Sequence, residues 1–515
     1  MAKGDPVKVV ARDGLYIPIK LLTEDQKDDL RKRFSKNFYG KEKTCEKCEY
    51  YTERPCDVCD SCANYLGKIS LARPVIRNDK EWFKVPYGGL QAVRKRVGKV
   101  NLVDKTKSPA MRRSIKFTRK LRPDQKEARD AIIAARQGIL KSPPRSGKTV
   151  ISAAAICKMG LKTLVLAAQS EWIDNFMETF LGSEVEQAFT DARPKRVGRA
   201  KKLADFEKYD VAFATYQTFL SEGGQKLLKK IVKMFGAVFV DEIQGGNATE
   251  YARILSQFHA EVRIGLSGTP ERKDQKHWVI DQLFGTVFFE NKVERMTPKV
   301  KVTETDLRGP IPQSWTYAVK KIECDPKRLM LIAETAIRDI KEEKHLVYIP
   351  LARNIAIEAL TKTINRLYGK NIAQSLTGQT RKDNHRDARK NVIIRAREYK
   401  TKCVVGNIKL LSTGVNIPRA SALYEVTPSS NIPKADQRFS RVLTPHEGKP
   451  QPVIRYFLDD VDLRRGCMRN EFFQCLLPRF KPEISEKVRT RLYEYLGQKA
   501  KPRRGRNELR TGGSL

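Results

Sequence analysis

The chain has 515 residues, with 100 Lys and Arg against 60 Asp and Glu, a formal net charge of +40 and 40% hydrophobic residues. That apolar share is enough for real cores and the length for about three domains, while the charge excess calls for a polyanionic partner, nucleic acid first. No segment approaches the ~18 apolar residues of a membrane span, and the opening MAKGDPVKVV lacks the apolar core of a signal peptide, so a soluble, intracellular protein is expected.

Residues 1–114 open on VARDGLYIPIKLL, which reads as a short hairpin or strand pair, followed by a charged helix from Glu24 to Phe34. Five of the ten cysteines then crowd into one stretch, Cys45, Cys48, Cys56, Cys59 and Cys62, spaced C-x2-C-x7-C-x2-C-x2-C. Two C-x2-C knuckles a short loop apart match a tetrahedral thiolate zinc site, because four deprotonated sulfurs must converge from two turns. Cys45 and Cys48 form the first knuckle, and the second is either Cys56 with Cys59 or Cys59 with Cys62. An iron–sulfur cluster is the rival, and a disulfide framework does not suit a reduced compartment. A closed four-sulfur site leaves no open position, so its role is structural or nucleic-acid binding. Beyond it, Trp82, Phe83 and Tyr87 stand beside Arg94, Lys95, Arg96 and Lys99, either as a base-stacking, phosphate-tracking surface or as a small core with a solvated face.

Pro123 at a helix start and the amphipathic pattern from Asp124 to Ile132 predict a helix. Gln137–Lys141 is a short strand, and SPPRSGKTV from Ser142 to Val150 follows it into the next helix. Strand, loop and helix is the context a phosphate loop needs. Gly147 lets the backbone approach phosphate, Lys148 supplies a cation for the β and γ oxygens, and the Thr149 hydroxyl is a Mg²⁺ ligand. The loop as a whole, Ser142, Pro143, Pro144, Arg145, Ser146 and Gly147, is expected to cradle the nucleotide, although the strict pattern has glycine where Ser142 stands and helicase-type loops often have it at Arg145.

Further along, AVFVDEIQ from Ala237 to Gln244 is an apolar strand that ends in two acids, the way a central parallel strand delivers ligands to the carboxyl edge of its sheet. Asp241 is expected to hold Mg²⁺ and Glu242 to orient the attacking water. Together the two stretches read as a nucleoside triphosphatase site. Apolar runs alternate with helical stretches from Lys162, and a second such series begins near Leu346, so two sequential α/β units with parallel sheets are expected. The end, from about Asp460, reads as a helical extension and a basic tail, KPRRGRNELRTGGSL.

Over about residues 115–460 this ordered series of motifs resembles the superfamily 2 helicases and translocases, and within them the XPB/UvsW-like group of viral and cellular DNA helicases. The resemblance implies two tandem RecA-like parallel-sheet domains, 115–300 and 301–460; the cysteine spacing and the charge add to them a zinc-bearing, DNA-binding domain over 1–114, and the basic tail a C-terminal extension over 461–515. LRPDQ is similar to the group's adenine-recognition motif, which assigns Arg122 and Gln125 to the base. SPPRSGKT and DEIQ are similar to motifs I and II, with Gln244 where many relatives have histidine. TLVLAAQSEW and ATYQTF resemble motifs Ia and Ib, which lie along the strand's phosphates, and GLSGTPERKD resembles motif III, so that Ser267 and Thr269 couple hydrolysis to strand movement. LVYIP resembles motif IV, and LSTGVNIP resembles motif V, with Thr413 and Gly414 in place and Asn416 where aspartate is usual. QRFSRVLT matches motif VI at Gln437, Arg438 and Arg441, with Ser440 for glycine and Thr444 for the final arginine, so Arg441 is the arginine finger, helped by Arg438.

The expected activity is therefore ATP-dependent unwinding or remodelling of DNA, single-stranded, forked or branched, driven by Mg·ATP. RNA as the substrate, a motor subunit of transcription or restriction machinery, and a zinc-bearing, non-catalytic scaffold are the alternatives. A viral or phage origin would put the protein in the host cytoplasm.

Overall fold

In the computed structural model the described residues are 6–39, 65–143, 145–183, 187–245, 247–268, 277–309, 314–377, 391–413, 417–429 and 431–497. The five clustered cysteines, Pro144, Thr269, Gly414, Asn416 and the basic tail lie outside them. The chain divides into two compact units between Val293 and Glu294.

The first unit opens with the expected strand pair, β1 (Val7–Ala11) and β2 (Leu15–Pro18), and the helix Glu24–Arg33. Thr23 and Gln26 close that helix's amino end reciprocally, each side chain accepting the other's backbone N–H. A two-stranded ladder of β3 (Ser35–Tyr39) and β4 (Tyr65–Ser70) pairs Tyr39 with Tyr65, so the cysteine-bearing segment leaves and returns at one point. With β5 (Arg73–Arg77), β6 (Lys80–Val85) and β7 (Val100–Asp104), the first strands form a mixed sheet in the order β5-β6-β2-β1-β7. Phe34, Phe83 and Val85 fill its core; Trp82 meets Tyr16 edge-on at 6.4 Å, and Tyr87 lies under the Arg263 guanidinium at 4.0 Å. Phe83 is buried, while Trp82 and Tyr87 are half-buried, each against a neighbour, which favours the small core over the stacking surface.

The turn after β6 locks this sheet onto the rest of the unit. A Cβ on Gly88 would stand 2.6 Å from the Gln282 carbonyl oxygen, so only glycine permits the approach to the helix His277–Phe284. Beyond the turn lies a parallel sheet of β8 (Gln137–Lys141), β9 (Thr163–Ala167), β10 (Val197–Arg199), β11 (Val211–Thr215), β12 (Ala237–Val240), β13 (Val262–Ser267) and β14 (Val287–Glu290). Its order is β10-β11-β9-β12-β13-β8-β14. Every residue of β9, β12 and β13 is buried, as continuous apolar strands covered on both faces require.

The second unit repeats the architecture without the phosphate loop. It contains β15 (Lys299–Arg308), β16 (Val347–Leu351), β17 (Ala373–Leu376), β18 (Cys403–Asn407), β19 (Ala422–Glu425) and β20 (Val453–Asp460), parallel in the order β15-β20-β19-β16-β18-β17. The expected helical extension is present: Asp462–Glu471 and Glu486–Gly497 return to the sheet, where the Tyr495 hydroxyl donates to the Asp459 carbonyl at 2.6 Å. No described helix is long and apolar enough to cross a membrane.

Candidate functional site

The parallel pairing of the first unit's large sheet brings the ends of β8, β13 and β12 side by side at its carboxyl edge. The loop that leaves β8 turns between Pro143 and Ser146, whose N–H donates to the Pro143 carbonyl at 3.2 Å, and enters the helix Lys148–Met159. Gly147 caps that helix at φ +85°, a left-handed conformation that glycine adopts without strain. The helix therefore aims its first-turn N–H groups at the loop's hollow, as an anion site requires.

The two departures from the glycine pattern have physical accounts. Ser142 is fully buried, donates its hydroxyl to Ser146 Oγ at 2.6 Å and accepts from Asn291 Nδ2 at 3.3 Å. The hydroxyl thus closes the loop that glycine would only leave room for. Arg145 holds φ +69°, which explains why glycine is common there. Arg122 Nη2 and Gln125 Nε2 both donate to the Ser146 carbonyl, at 2.8 and 3.1 Å, so these two residues brace the loop from the preceding helix.

The acids arrive as expected. Asp241 follows β12 and is 6% exposed; its carboxylate accepts the Glu242 N–H at 3.1 Å. Burial, and then repulsion from Glu242, push its carboxyl up to about 7, with Lys148 opposing. Glu242 sits at φ +46° and is ion-paired with Lys148 Nζ, while its other oxygen accepts from Gln244 Nε2. Gln244 Oε1 in turn accepts the Ser267 hydroxyl at 2.6 Å. A continuous chain, Lys148–Glu242–Gln244–Ser267, thus joins the phosphate loop to the ends of β12 and β13. Gln244's bridging contacts are not readable in the sequence, where its signal is its place at the end of the run DEIQ, two residues after Glu242. Half-buried Thr149 and the Asp241 carboxylate are hard oxygen donors on neighbouring elements, which suits Mg²⁺.

Motifs Ia and Ib also come together, because β9 and β11 pair Ala167 with Thr215. Gln217 Nε2 donates to the Ala168 carbonyl at 3.0 Å, and Trp172 packs against Gly245, just beyond the acids.

In the second unit the helix Ile432–Leu443 carries motif VI. Gln437 and Arg441, four residues apart, share a half-buried face. Arg438 does not join them, and its expected role beside Arg441 is corrected here. It is 1% exposed, donates to both Glu425 oxygens at 3.0 and 3.1 Å, and reaches Glu471 Oε1 at 2.5 Å. Its guanidinium fastens the helix to β19 and the C-terminal extension. Thr444 ends the helix, its hydroxyl on the Ser440 carbonyl at 3.4 Å. Among the described residues no cluster of His, Cys, Asp and Glu is arranged to hold a metal ion, and the five clustered cysteines lie outside them.

Residues 118–272 match the family described as Type III restriction enzyme, res subunit. The protein named Probable helicase D10 of Escherichia phage T5 is 30% identical over 155 residues, 30% of this chain and 31% of that protein. DNA 3'-5' translocase XPB2 of Sulfurisphaera tokodaii is 26% identical over 202 residues, 39% of this chain and 41% of its own length. L396 of Acanthamoeba polyphaga mimivirus, provisionally named an ATP-dependent RNA helicase, is 21% identical over 385 residues, 70% of this chain and 68% of that protein. The chain thus spans well under half the length of the phage and archaeal relatives. Among solved structures, the DUF1998 helicase MrfA bound to DNA and AMPPNP shares the fold, with a TM-score of 0.51 at 12% identity over 76% of this chain and 57% of that one.

Proposed function

We propose that this chain, whose residues 118–272 are of the superfamily 2 helicase type, is an ATP-dependent DNA translocase that unwinds or remodels forked or branched DNA. The observation that carries the reading is the chain Lys148–Glu242–Gln244–Ser267 at the carboxyl edge of a parallel sheet. Lys148 and Glu242 neutralise each other in this state, so neither can serve a nucleotide until the pair opens. An arriving triphosphate draws Lys148 to its β and γ oxygens. Glu242, released, orients water for in-line attack, and Gln244 relays its displacement to Ser267 and β13. Bound Mg²⁺, held by Thr149 and Asp241, would neutralise charge developing on the phosphates.

Arg441 is the cation we assign to the γ-phosphate from the second unit, with Gln437 beside it. Arg122 and Gln125 are assigned to the base, and Gly414 to the nucleotide side of motif V. The strand's phosphates are assigned to motifs Ia and Ib. We further assign Zn²⁺ to four of Cys45, Cys48, Cys56, Cys59 and Cys62, which the β3–β4 ladder ties off at its base.

The test is the ATPase rate of wild type and Glu242→Gln, alone and with single-stranded, duplex and forked DNA and with RNA. Stimulation severalfold by a DNA form, abolished in Glu242→Gln, is the expected result. The name of the mimivirus relative, similar over 70% of this chain, favours a second reading as an RNA motor, and equal stimulation by RNA would establish it.

A further inference from the structure

A cavity of about 900 Å³ lies at the amino edge of the first unit's parallel sheet, where that sheet meets the N-terminal one. The six residues of β13 separate it from the nucleotide edge by roughly 15 Å of strand. Among the described residues, eight Lys or Arg side chains line it against a single carboxylate, Asp13. Arg73, Lys229, Lys233 and Arg253 are exposed around its walls. At its base Lys84 Nζ donates to Asp13 at 2.6 Å and to the Ser256 carbonyl at 3.1 Å. Asp13 also accepts from Arg12 and from the Tyr16 hydroxyl, at 3.2 and 2.8 Å, so one carboxylate is shared among several donors.

Among the described residues, two buried groups in the lining have no ion-pair partner. Arg263, 6% exposed, donates only to the carbonyls of Ala260, Phe258 and Arg12 and stacks on Tyr87. His259 is 7% exposed, and its Nδ1 has no hydrogen-bond partner. Burial first, then Arg12, Lys233 and Arg263, hold the imidazole down to about 4, with Asp13 opposing. A protein pays several kcal/mol to desolvate a cation such as Arg263 without a counter-charge, and a further penalty for a neutral imidazole nitrogen with no partner; such costs persist only where something offsets them.

We infer that this cavity is a second anion site, which binds the terminal phosphate of a small, nucleotide-sized phosphate monoester or polyphosphate. The volume fits such a ligand. A terminal phosphate, with two charges and three free oxygens, can accept from several of the donors that line the cavity at once, and the unpartnered His259 Nδ1 is among them. A phosphodiester must leave its site at both ends and suits an open groove instead. The inference goes beyond the motor reading and does not rest on it, because the cavity shares no residue with the nucleotide loop.

The test is calorimetric titration of inorganic tripolyphosphate into the full chain carrying Lys148→Ala, so that the phosphate loop does not take the probe. Saturable binding is expected, weakened about tenfold or more by the added pair Lys233→Gln and Arg253→Gln. Both positions are exposed, so the pair should fold, with an unchanged circular dichroism spectrum and, on the wild-type background, unchanged basal ATP turnover. Proton uptake near pH 6, read from titrations in buffers of different ionisation enthalpy, is expected and should vanish in His259→Asn. Equal affinity with and without the cavity substitutions overturns the inference. So does displacement of tripolyphosphate by a short DNA duplex at equal phosphate concentration, which would make the occupant a phosphodiester.

Discussion

The carboxyl edge of the first parallel sheet and the corresponding end of the second both carry ion-paired side chains and use them in opposite ways. At the first, Lys148 and Glu242 are 10% and 18% exposed and hold each other through one contact, so a ligand can part them. At the second, Arg438, Glu425 and Glu471 are at most 1% exposed and form a closed set, and Arg328 grips Asp459 with both oxygens engaged, at 2.7 and 2.9 Å. A half-open ion pair can change partners, whereas a sealed one can only hold elements together. The difference separates an exchangeable pair from scaffolding even where both fall inside the motifs singled out in the sequence.

Breaking the open pair should have the largest effect. Lys148→Ala is expected to lower ATP turnover by at least ~10³-fold, as for lost phosphate-binding cations, while the chain stays folded in thermal melts. Arg441→Ala and Arg438→Ala then sharpen the contrast on one helix. Arg441→Ala should cost a comparable factor in turnover but less than about 1 kcal/mol of stability. Arg438→Ala should destabilise the second unit by about 3–5 kcal/mol in denaturant titrations, because it leaves Glu425 and Glu471 buried and opposed. Lost turnover at unchanged stability in Arg438→Ala would restore it as a phosphate ligand.

A smaller effect follows from Asp241, whose carboxyl burial and Glu242 raise to about 7. The folded chain keeps a proton there that the unfolded chain releases near pH 4. The associated stability is complete below about pH 4 and is lost as pH rises through 7. Mg²⁺ binding needs the carboxylate and moves the other way: affinity should fall about tenfold per pH unit below 7, with a proton released on binding. Asp241→Asn should flatten both profiles.

The elements that position this site were legible because their signal is local. Gln137–Lys141 and Ala237–Val240 are apolar runs bounded by turn residues, and the strands occupy the expected places. Contacts that close the site over distance were not legible. Asn291 reaches Ser142 across 149 residues, and Ser267 reaches Gln244 across 23, with no periodicity to announce either. β15 alternates apolar and polar residues along a sheet edge and so lacks the continuous apolar run that marks the buried strands. Arg438 and Arg441 are both expected at the γ-phosphate, and only the structure, through Arg438's burial and its bonds to Glu425 and Glu471, sets it apart.

The finest form of the comparison lies within the phosphate loop, between its two left-handed residues. Arg145 at φ +69° carries a strain of about 1 kcal/mol that glycine would relieve. Glycine, however, gives most of that back through the greater freedom of the unfolded chain. Arg145→Gly should therefore leave stability within about 0.5 kcal/mol and the KM for ATP within about threefold. Gly147 has no such latitude. A Cβ there would stand 2.4 Å from Gln125 Nε2, at φ +85°, and would drive the amide off the Ser146 carbonyl it braces. Gly147→Ala should raise the KM for ATP about tenfold or more, through a lost brace and a misplaced helix terminus. Similar KM values for the two variants would mean that the loop is shaped by the nucleotide and not by Gln125.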